Sequence, residues 1–150
     1  MRYSQNIKYS YDIDPYSVKT SYDDIPLTVM FSNIYQFLVL DANPFTGEPK
    51  ECTKGLDAIL YFKNGWVKSV SGKRMNDIHV VHGLVHHSFA LREKPLHPWI
   101  LIKDDGKILA AHCTCAIGIL EACSHIGATL FALNGIRSAI QEKKVSISLF

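Results

Sequence analysis

The residues best suited to chemistry lie in one short stretch, HCTCAIGILEACSH, at positions 112–125. Three of the four cysteines in the chain are found here, as Cys113, Cys115 and Cys123, and His125 follows the third by two positions. Thiolates and imidazoles are the ligands that structural zinc prefers, and such a site takes four of them in a tetrahedron. The spacing therefore predicts a closed Zn²⁺ site built from these four side chains.

Local structure must aim both halves of this pattern at one point. Cys113 and Cys115 share a face if a strand ends here, because side chains at i and i+2 lie on the same side of a strand. Two helical residues turn through about 200°, so Cys123 must precede a helix, with Ser124 as the N-cap and His125 in the first turn. The helix N-terminus then directs N–H groups toward the thiolates, whose charge outweighs that of the metal.

Three alternatives to a metal site stay open for the cysteines. An even count fits two disulfides, although a Cys-x-Cys bridge is strained and leaves His125 without a role. A catalytic Cys–His pair needs only one thiol, and inert buried cysteines need no pattern. The N-terminus lacks the layout of a secretory signal, so we expect an intracellular, reducing compartment, where clustered cysteines more often bind metal.

Apolar periodicity predicts the elements around this pattern. The helices are predicted over 25–40, 54–67 and 124–143, and the strands over 79–91, 96–102 and 107–113. The β-branched residues of 25–40 keep a strand possible there. Asn64-Gly65 is expected to end the second helix, and Asp105-Gly106 is a strong hairpin signal. We therefore predict an α+β domain with two N-terminal helices, a three-strand antiparallel meander and a C-terminal helix, with the zinc site at the last strand-to-helix junction.

The chain is expected to form one domain with loose ends. Apolar residues make up 47% and charged residues 20% of the sequence, which is ordinary for a folded protein with a core. No run of 18 apolar residues occurs, so no transmembrane helix and no membrane partner are predicted. The expected parts are a flexible arm at 1–24, a helical and strand region at 25–106 packing on the zinc module, the zinc module at 107–143, and a tail at 144–150.

Charge is divided unevenly along the chain. Residues 1–48 hold three Lys or Arg against six Asp or Glu, a balance of −3, whereas residues 49–150 hold thirteen against eight, a balance of +5. This permits weak binding to nucleic acid without requiring it, because a pI near 8.3 is below that of dedicated nucleic-acid binders. The candidate basic patch, which an ordinary solvated surface would account for equally well, comprises Lys63, Lys68, Lys73, Arg74, Lys103 and Lys107.

The histidine-rich segment HVVHGLVHHS does not predict a second metal site. Strand alternation places His79 and His87 on one face and His82 and His86 on the other, so the four imidazoles do not converge. His112 is expected on the face opposite to Cys113 for the same reason.

No catalytic role is predicted. Glu121 is close enough in sequence to act as a base beside zinc, but four protein ligands leave no open position for water. Trp66 and Trp99 are expected in the core or between helix and sheet. Cys52 is expected to be a loop thiol outside the site.

The segment GKILAAHCTCAIGILEACSHIGATLFAL resembles the SWIM-type zinc finger of a transposon-associated eukaryotic group. The spacing of GWVKSV, VHGLVHHS and PWILI upstream is also similar, so the resemblance covers about residues 25–135. It implies that Cys113, Cys115, Cys123 and His125 are the zinc ligands. It also implies a nuclear interaction module for DNA or protein in a transposon-derived or DNA-transacting setting. Leu120 departs from the pattern, since such proteins often carry a second glycine in this loop.

Relatives of this kind often continue into a YqaJ-type recombinase or exonuclease domain. We do not expect that activity here, because the acidic residues are scattered and form no motif that could gather carboxylates around Mg²⁺. The alternative function is an accessory fragment of such a recombinase or exonuclease that has lost its catalytic domain. A third alternative is a decayed element product with no role of its own.

Overall fold

A computed structural model describes residues 13–42, 47–50, 63, 65–86, 95–115 and 123–148 of the 150-residue chain. As predicted, the fold is α+β with an antiparallel sheet and a C-terminal helix. The N-terminal part holds a short 3₁₀ helix and helix α1, which continues directly as a π-helix. The elements are the 3₁₀ helix Pro15–Ser17, α1 Phe31–Tyr35, the π-helix Gln36–Leu40, β1 Val67–Met75, β2 Ile78–Val85, β3 Trp99–Lys103, β4 Ile108–His112 and α2 Ser124–Ser148.

The sheet has four strands in the order β1-β2-β3-β4, so the prediction of three strands is wrong. The missed strand is β1. A register shift between Val67 and Ser69 interrupts its pairing with β2, and this irregularity hides the two-residue alternation on which a strand prediction depends. Asn76 is the residue that could have indicated a hairpin here. It has a φ of 57° in the two-residue turn between β1 and β2, a conformation that asparagine tolerates better than most residues.

The predicted hairpin at Asp105-Gly106 is confirmed, because it joins β3 to β4. Gly106 has a φ of 97°, which an L side chain rarely adopts, and its N–H donates to the Lys103 carbonyl at 2.9 Å. Most of the helix predicted over 54–67 lies outside the described residues, although Gly65 has the positive φ, 77°, expected of a helix C-cap. Val67, the last residue of that prediction, belongs to β1.

One face of the sheet packs against the helices and forms the larger core. Val81, Ile100 and Ala111 occupy neighbouring positions across β2, β3 and β4 and are all fully buried on this face. The buried helical residues that pack against them are Ile34, Phe37, Leu38, Ile126, Leu130 and Leu133. Burying such large apolar side chains contributes about 1.5–3 kcal/mol each, as an upper estimate. This core fixes α2 against the sheet and so fixes the junction that carries the cysteines.

The other face of the sheet is covered by residues 13–24, here called the N-terminal strap. Trp99, Leu101 and Ala110 are fully buried on this side of the sheet, with Val18 of the strap packed against them. Ser21 and Gly72 exchange both backbone hydrogen bonds, at 2.8 and 2.9 Å, and so attach the strap to the edge strand β1. The predicted flexible arm, residues 1–24, is therefore docked from residue 13 onward, while residues 1–12 lie outside the described part.

Helix α2 packs closely on the sheet and is longer than expected. A side chain at Gly83 on β2 would bring a Cβ to 2.5 Å from Thr129 Oγ1, so only glycine allows this approach of helix and strand. The helix continues to Ser148, so that the first five residues of the predicted tail at 144–150 are helical.

Candidate metal centre

The end of β4 positions two cysteines on the helix side of the sheet. Ala111 and Cys113 are both buried in the larger core, and Cys115 packs against the same cluster from the bend that follows. His112 lies on the opposite face, where its ring stacks on Trp99 at a centroid distance of 5.9 Å. His112 and Cys113 therefore lie on opposite faces, as predicted, whereas Cys115 reaches the cluster from the bend and not from the strand itself.

The beginning of α2 positions the other two residues. His125 lies in the first turn, as predicted, but the predicted N-cap is wrong by one residue. The Cys123 carbonyl accepts the Gly127 N–H at 3.0 Å, and Cys123 Sγ accepts the Ile126 N–H at 3.5 Å. Cys123 therefore occupies the cap position itself, since its carbonyl and side chain take the bonds that define a cap. Sulfur can take this role because it is a weak acceptor as a thiol and a stronger one as the thiolate that a bound metal would produce.

The distances within this group fit a single metal ion. The ligand atoms of Cys113, Cys115, Cys123 and His125, called here the metal cluster, all lie within 4.8 Å of one another. Sulfur atoms about 2.3 Å from a tetrahedral zinc ion are separated by roughly 3.8 Å. The four ligand atoms therefore lie close enough together to surround one ion. Within the described residues, this is the one group of three or more Cys, His, Asp or Glu that can hold a metal.

Burial divides the metal cluster into an inner and an outer part. Cys113 and Cys123 are 2% and 1% exposed, and His125 is 8% exposed, whereas Cys115 is only partly buried. The His125 backbone is also held, because its carbonyl accepts a hydrogen bond from Thr129 Oγ1 at 2.9 Å. The buried ligands therefore have fixed positions inside the core, and Cys115 closes the site on the solvent side.

The side chains of the metal cluster shift one another's pKa. The hydrogen bond with Cys123 is the main reason that the pKa of Cys113 falls to about 6, against an opposing effect of burial. The hydrogen bonds with Cys113 and Cys115, together with burial, raise the pKa of Cys123 well above its ordinary value. Burial lowers the pKa of His125, but its bonds to Cys113 and Cys115 and their charge outweigh that effect and raise it. The cluster thus concentrates negative charge at Cys113, which favours a cation.

The other histidines do not form a second site among the described residues. His79 Nε2 lies 3.4 Å from Asp104 Oδ1, and His82 Nε2 donates to the Pro15 carbonyl at 2.7 Å. These two imidazoles are on opposite faces of β2, as the alternation predicted. His87, Cys52 and Glu121 lie outside the described residues.

An aromatic group on the strap side was not predicted. The Tyr16 ring lies 6.3 Å from that of His82 and 6.1 Å from that of His112, and Tyr16 Oη donates to the His97 carbonyl at 2.7 Å. His82, Trp99 and His112 occupy directly paired positions on β2, β3 and β4. Sequence alternation predicted His82 opposite to His79 and His112 opposite to Cys113, but nothing in the sequence indicated that Tyr16 covers His82 and His112. Trp99 is in the core, as expected.

The predicted basic patch is partly neutralised. Arg74 Nη2 lies 2.8 Å from Asp104 Oδ2, and Arg74 Nε donates to the other carboxylate oxygen at 3.2 Å. This hydrogen bond lowers the pKa of Asp104 and so favours its charged form. Lys63, Lys68, Lys73 and Lys107 are exposed.

Fold and site together define an α+β domain with a three-cysteine, one-histidine cluster at a strand-to-helix junction. No protein-family model, curated protein or solved structure matches the chain. None of the helices in the described part combines enough length and apolar character to cross a bilayer.

Proposed function

We propose that this chain is a structural zinc-binding interaction module of the SWIM type, acting without catalysis in a DNA-transacting, transposon-derived setting in the nucleus. The observation that carries the metal-binding part is the convergence of Cys113, Cys115, Cys123 and His125 within 4.8 Å. Three thiolates and one imidazole match the donor set of structural zinc sites, in which no position is left for substrate or water.

The positions of these residues support a structural role. Cys113 and Cys123 are part of the larger core, and Cys123 is the cap of α2. A bound ion would therefore join the end of β4 to the beginning of α2, and its binding energy would contribute to folding. The partner of the module is DNA or another protein, a proposal supported by the sequence resemblance and by the exposed lysines of the basic half. The competing function, an accessory fragment of a recombinase or exonuclease, shares the same zinc site.

Metal analysis tests the first part of this proposal. Chain purified under reducing conditions should contain about one zinc ion per molecule, the stoichiometry of a single four-ligand site. The buried thiols of Cys113 and Cys123 should resist alkylation until a chelator is added. A metal-free protein whose three cluster cysteines react at once in the native state would overturn the zinc assignment.

An activity assay separates the module from an enzyme. The purified chain, incubated with Mg²⁺ and linear or single-stranded DNA, should leave both substrates intact. Cleavage that copurifies with the chain and is lost on mutation of its acidic residues would contradict the non-catalytic proposal.

A further inference from the structure

We infer that Cys115 is a modification site at which a hydroperoxide oxidises the metal cluster, and that the resulting Cys115–Cys123 disulfide releases the metal ion. This inference rests on the proposed zinc site. It concerns how that site is regulated, which the structural role alone does not require.

The uneven burial of the sulfur ligands selects the point of attack. Cys113 and Cys123 are 2% and 1% exposed, so a peroxide cannot reach them without local opening of the core. Cys115 is partly exposed and lies in the bend after β4. Metal binding keeps this sulfur as a thiolate, which is the form that oxidants attack.

The chemistry proceeds in two balanced steps. The Cys115 thiolate attacks one oxygen of hydrogen peroxide: an S–O bond forms as the O–O bond breaks, sulfur loses two electrons, and the departing hydroxide takes a proton to give water. The Cys123 thiolate then attacks the sulfenic sulfur. An S–S bond forms as the S–O bond breaks, and the second hydroxide also takes a proton. One peroxide and two protons thus yield one disulfide and two molecules of water.

Geometry favours Cys123 over Cys113 as the second sulfur. Distance does not choose between them, because the Sγ atoms of Cys113 and Cys123 both lie within 4.8 Å of the Cys115 Sγ. Ring size does: a bridge between Cys113 and Cys115 would close a very small, strained ring. Cys123 is separated from Cys115 by seven residues, and its Sγ lies within 4.8 Å of the Cys115 Sγ.

The disulfide removes half of the ligand set. Cys113 and His125 would remain, and two ligands do not make a closed zinc site. The Cys123 sulfur would also lose the negative charge that favours its hydrogen bond from the Ile126 N–H. Oxidation at an exposed position would therefore loosen the beginning of α2.

The test uses the zinc-loaded chain with Cys52→Ser, whose remaining thiols all belong to the metal cluster. Zinc is quantified first, and hydrogen peroxide is then added with a chromogenic chelator to record zinc release. Dimedone traps sulfenic acid, and peptide mass spectrometry locates the adduct and the disulfide. Dimedone should label Cys115 first, and about one zinc ion should leave per Cys115–Cys123 disulfide. Dithiothreitol with added zinc should reverse the change.

Two matched variants each keep four potential zinc ligands. One replaces the sulfur that peroxide attacks, and the other replaces the sulfur that closes the disulfide. Cys115→His replaces the exposed thiolate by imidazole and should slow zinc release by peroxide at least about tenfold, because only buried sulfur remains. Cys123→His keeps Cys115, so in zinc-loaded protein dimedone should still label Cys115 first, and no Cys115–Cys123 disulfide can form.

The outcomes separate this inference from the zinc assignment. Absence of zinc before peroxide is added would overturn both. Zinc-loaded protein in which Cys113 or Cys123 is labelled first, or in which another disulfide predominates, would overturn the inference alone. The same holds if zinc stays bound after Cys115 has been oxidised.

Discussion

Each side chain of the metal cluster would hold one corner of a closed site, so the loss of one ligand should have a large effect. Structural zinc contributes on the order of 10 kcal/mol of apparent binding energy, and typical domains retain only about 5–15 kcal/mol in total. Cys123→Ser and His125→Ala are each expected to destabilise the domain severely and to melt the junction of β4 with α2. Thermal unfolding with and without a chelator measures this. Wild type should approach the variants when zinc is stripped, and the variants should barely respond.

One control defines the ligand set. Cys52→Ser should cost less than about 0.5 kcal/mol, because the sequence predicts that Cys52 is a loop thiol outside the site. Equal damage from Cys52→Ser and Cys123→Ser would mean that the ligand set, or the choice of metal over disulfide, is wrong.

Ser124→Ala tests the cap assignment next to the site. Because Cys123 takes the bonds of the cap, replacing Ser124 should leave stability within about 0.5 kcal/mol of wild type. A stability loss of about 1 kcal/mol, the usual cost of removing a cap, would indicate that Ser124 is the cap residue. Thermal unfolding of the zinc-loaded variant measures the difference.

Residue types and spacing were enough to predict which four side chains come together, because thiol and imidazole are rare and their alternation limits where they can point. Burial was not predictable in the same way. Cys115 is the most exposed member of the metal cluster because of its packing against the larger core, a set of long-range contacts that no local pattern encodes. The cap was misassigned because serine is the common N-cap, whereas the bond from the Ile126 N–H to Cys123 sulfur depends on local geometry.

At the scale of elements, the contact between β2 and α2 leaves no room for a side chain at Gly83. Gly83→Ala would place a Cβ 2.5 Å from Thr129 Oγ1 and 3.0 Å from Thr129 Cγ2, and Thr129 is fully buried. We expect a loss of about 1–3 kcal/mol, the usual cost of overpacking. The threonine also bonds to the His125 carbonyl, so zinc affinity should fall with stability.

A double-mutant cycle isolates this contact. Thr129→Ala removes both atoms that would clash, so the pair of substitutions should be less destabilising than the sum of the two single changes. Chemical unfolding of the four proteins provides the coupling free energy. Additive effects would show that Gly83 matters for a reason other than its approach to the helix.

The strap provides a second test at the scale of elements. Tyr16→Ala removes the ring that covers His82 and His112 and should expose Trp99, shifting its fluorescence to longer wavelength. Tyr16→Phe keeps the ring and loses only the bond to the His97 carbonyl, at a cost of about 1 kcal/mol. Tyr22→Ala is the control, because Tyr22 is 72% exposed on the same strap. An unchanged Tyr16→Ala spectrum would contradict the packing of the strap over this face.

The elements differ in how well they could be predicted from the sequence. The helix predicted over 25–40 is present from Phe31 to Leu40, and its Ile34, Phe37 and Leu38 are buried, because an amphipathic helix turns its apolar face to the core. β1 was missed because its irregular pairing hides the alternation. The docking of the strap was missed because its contacts are with distant residues, as in the pairing of Ser21 with Gly72.

At the scale of the whole molecule, the charge distribution determines how strongly the module could bind DNA, one of the two proposed partners. Basic residues prevail after position 48, but they are interspersed with acids, and Arg74 is already held by Asp104. The lowered pKa of Asp104 means that this pair forms above that carboxyl's ordinary pKa of 3.8 and is lost only as the pH falls through the lowered value. Arg74 is therefore paired with Asp104 at the neutral pH of a binding assay.

DNA binding, if it is the function, should be weak, insensitive to sequence and steeply dependent on salt. Contacts to two or three phosphates would reduce affinity about ten- to fortyfold between 50 and 200 mM salt.

Asp104→Asn should strengthen binding and steepen the salt dependence by about one phosphate contact, since it releases Arg74. Asp23→Asn makes the same charge change at an exposed position on the strap and should alter the slope little. Fluorescence anisotropy of a labelled duplex over a salt series measures all three proteins. Affinity that is unchanged by salt, or equal effects of the two substitutions, would indicate that the basic half does not contact phosphates and that the partner is a protein.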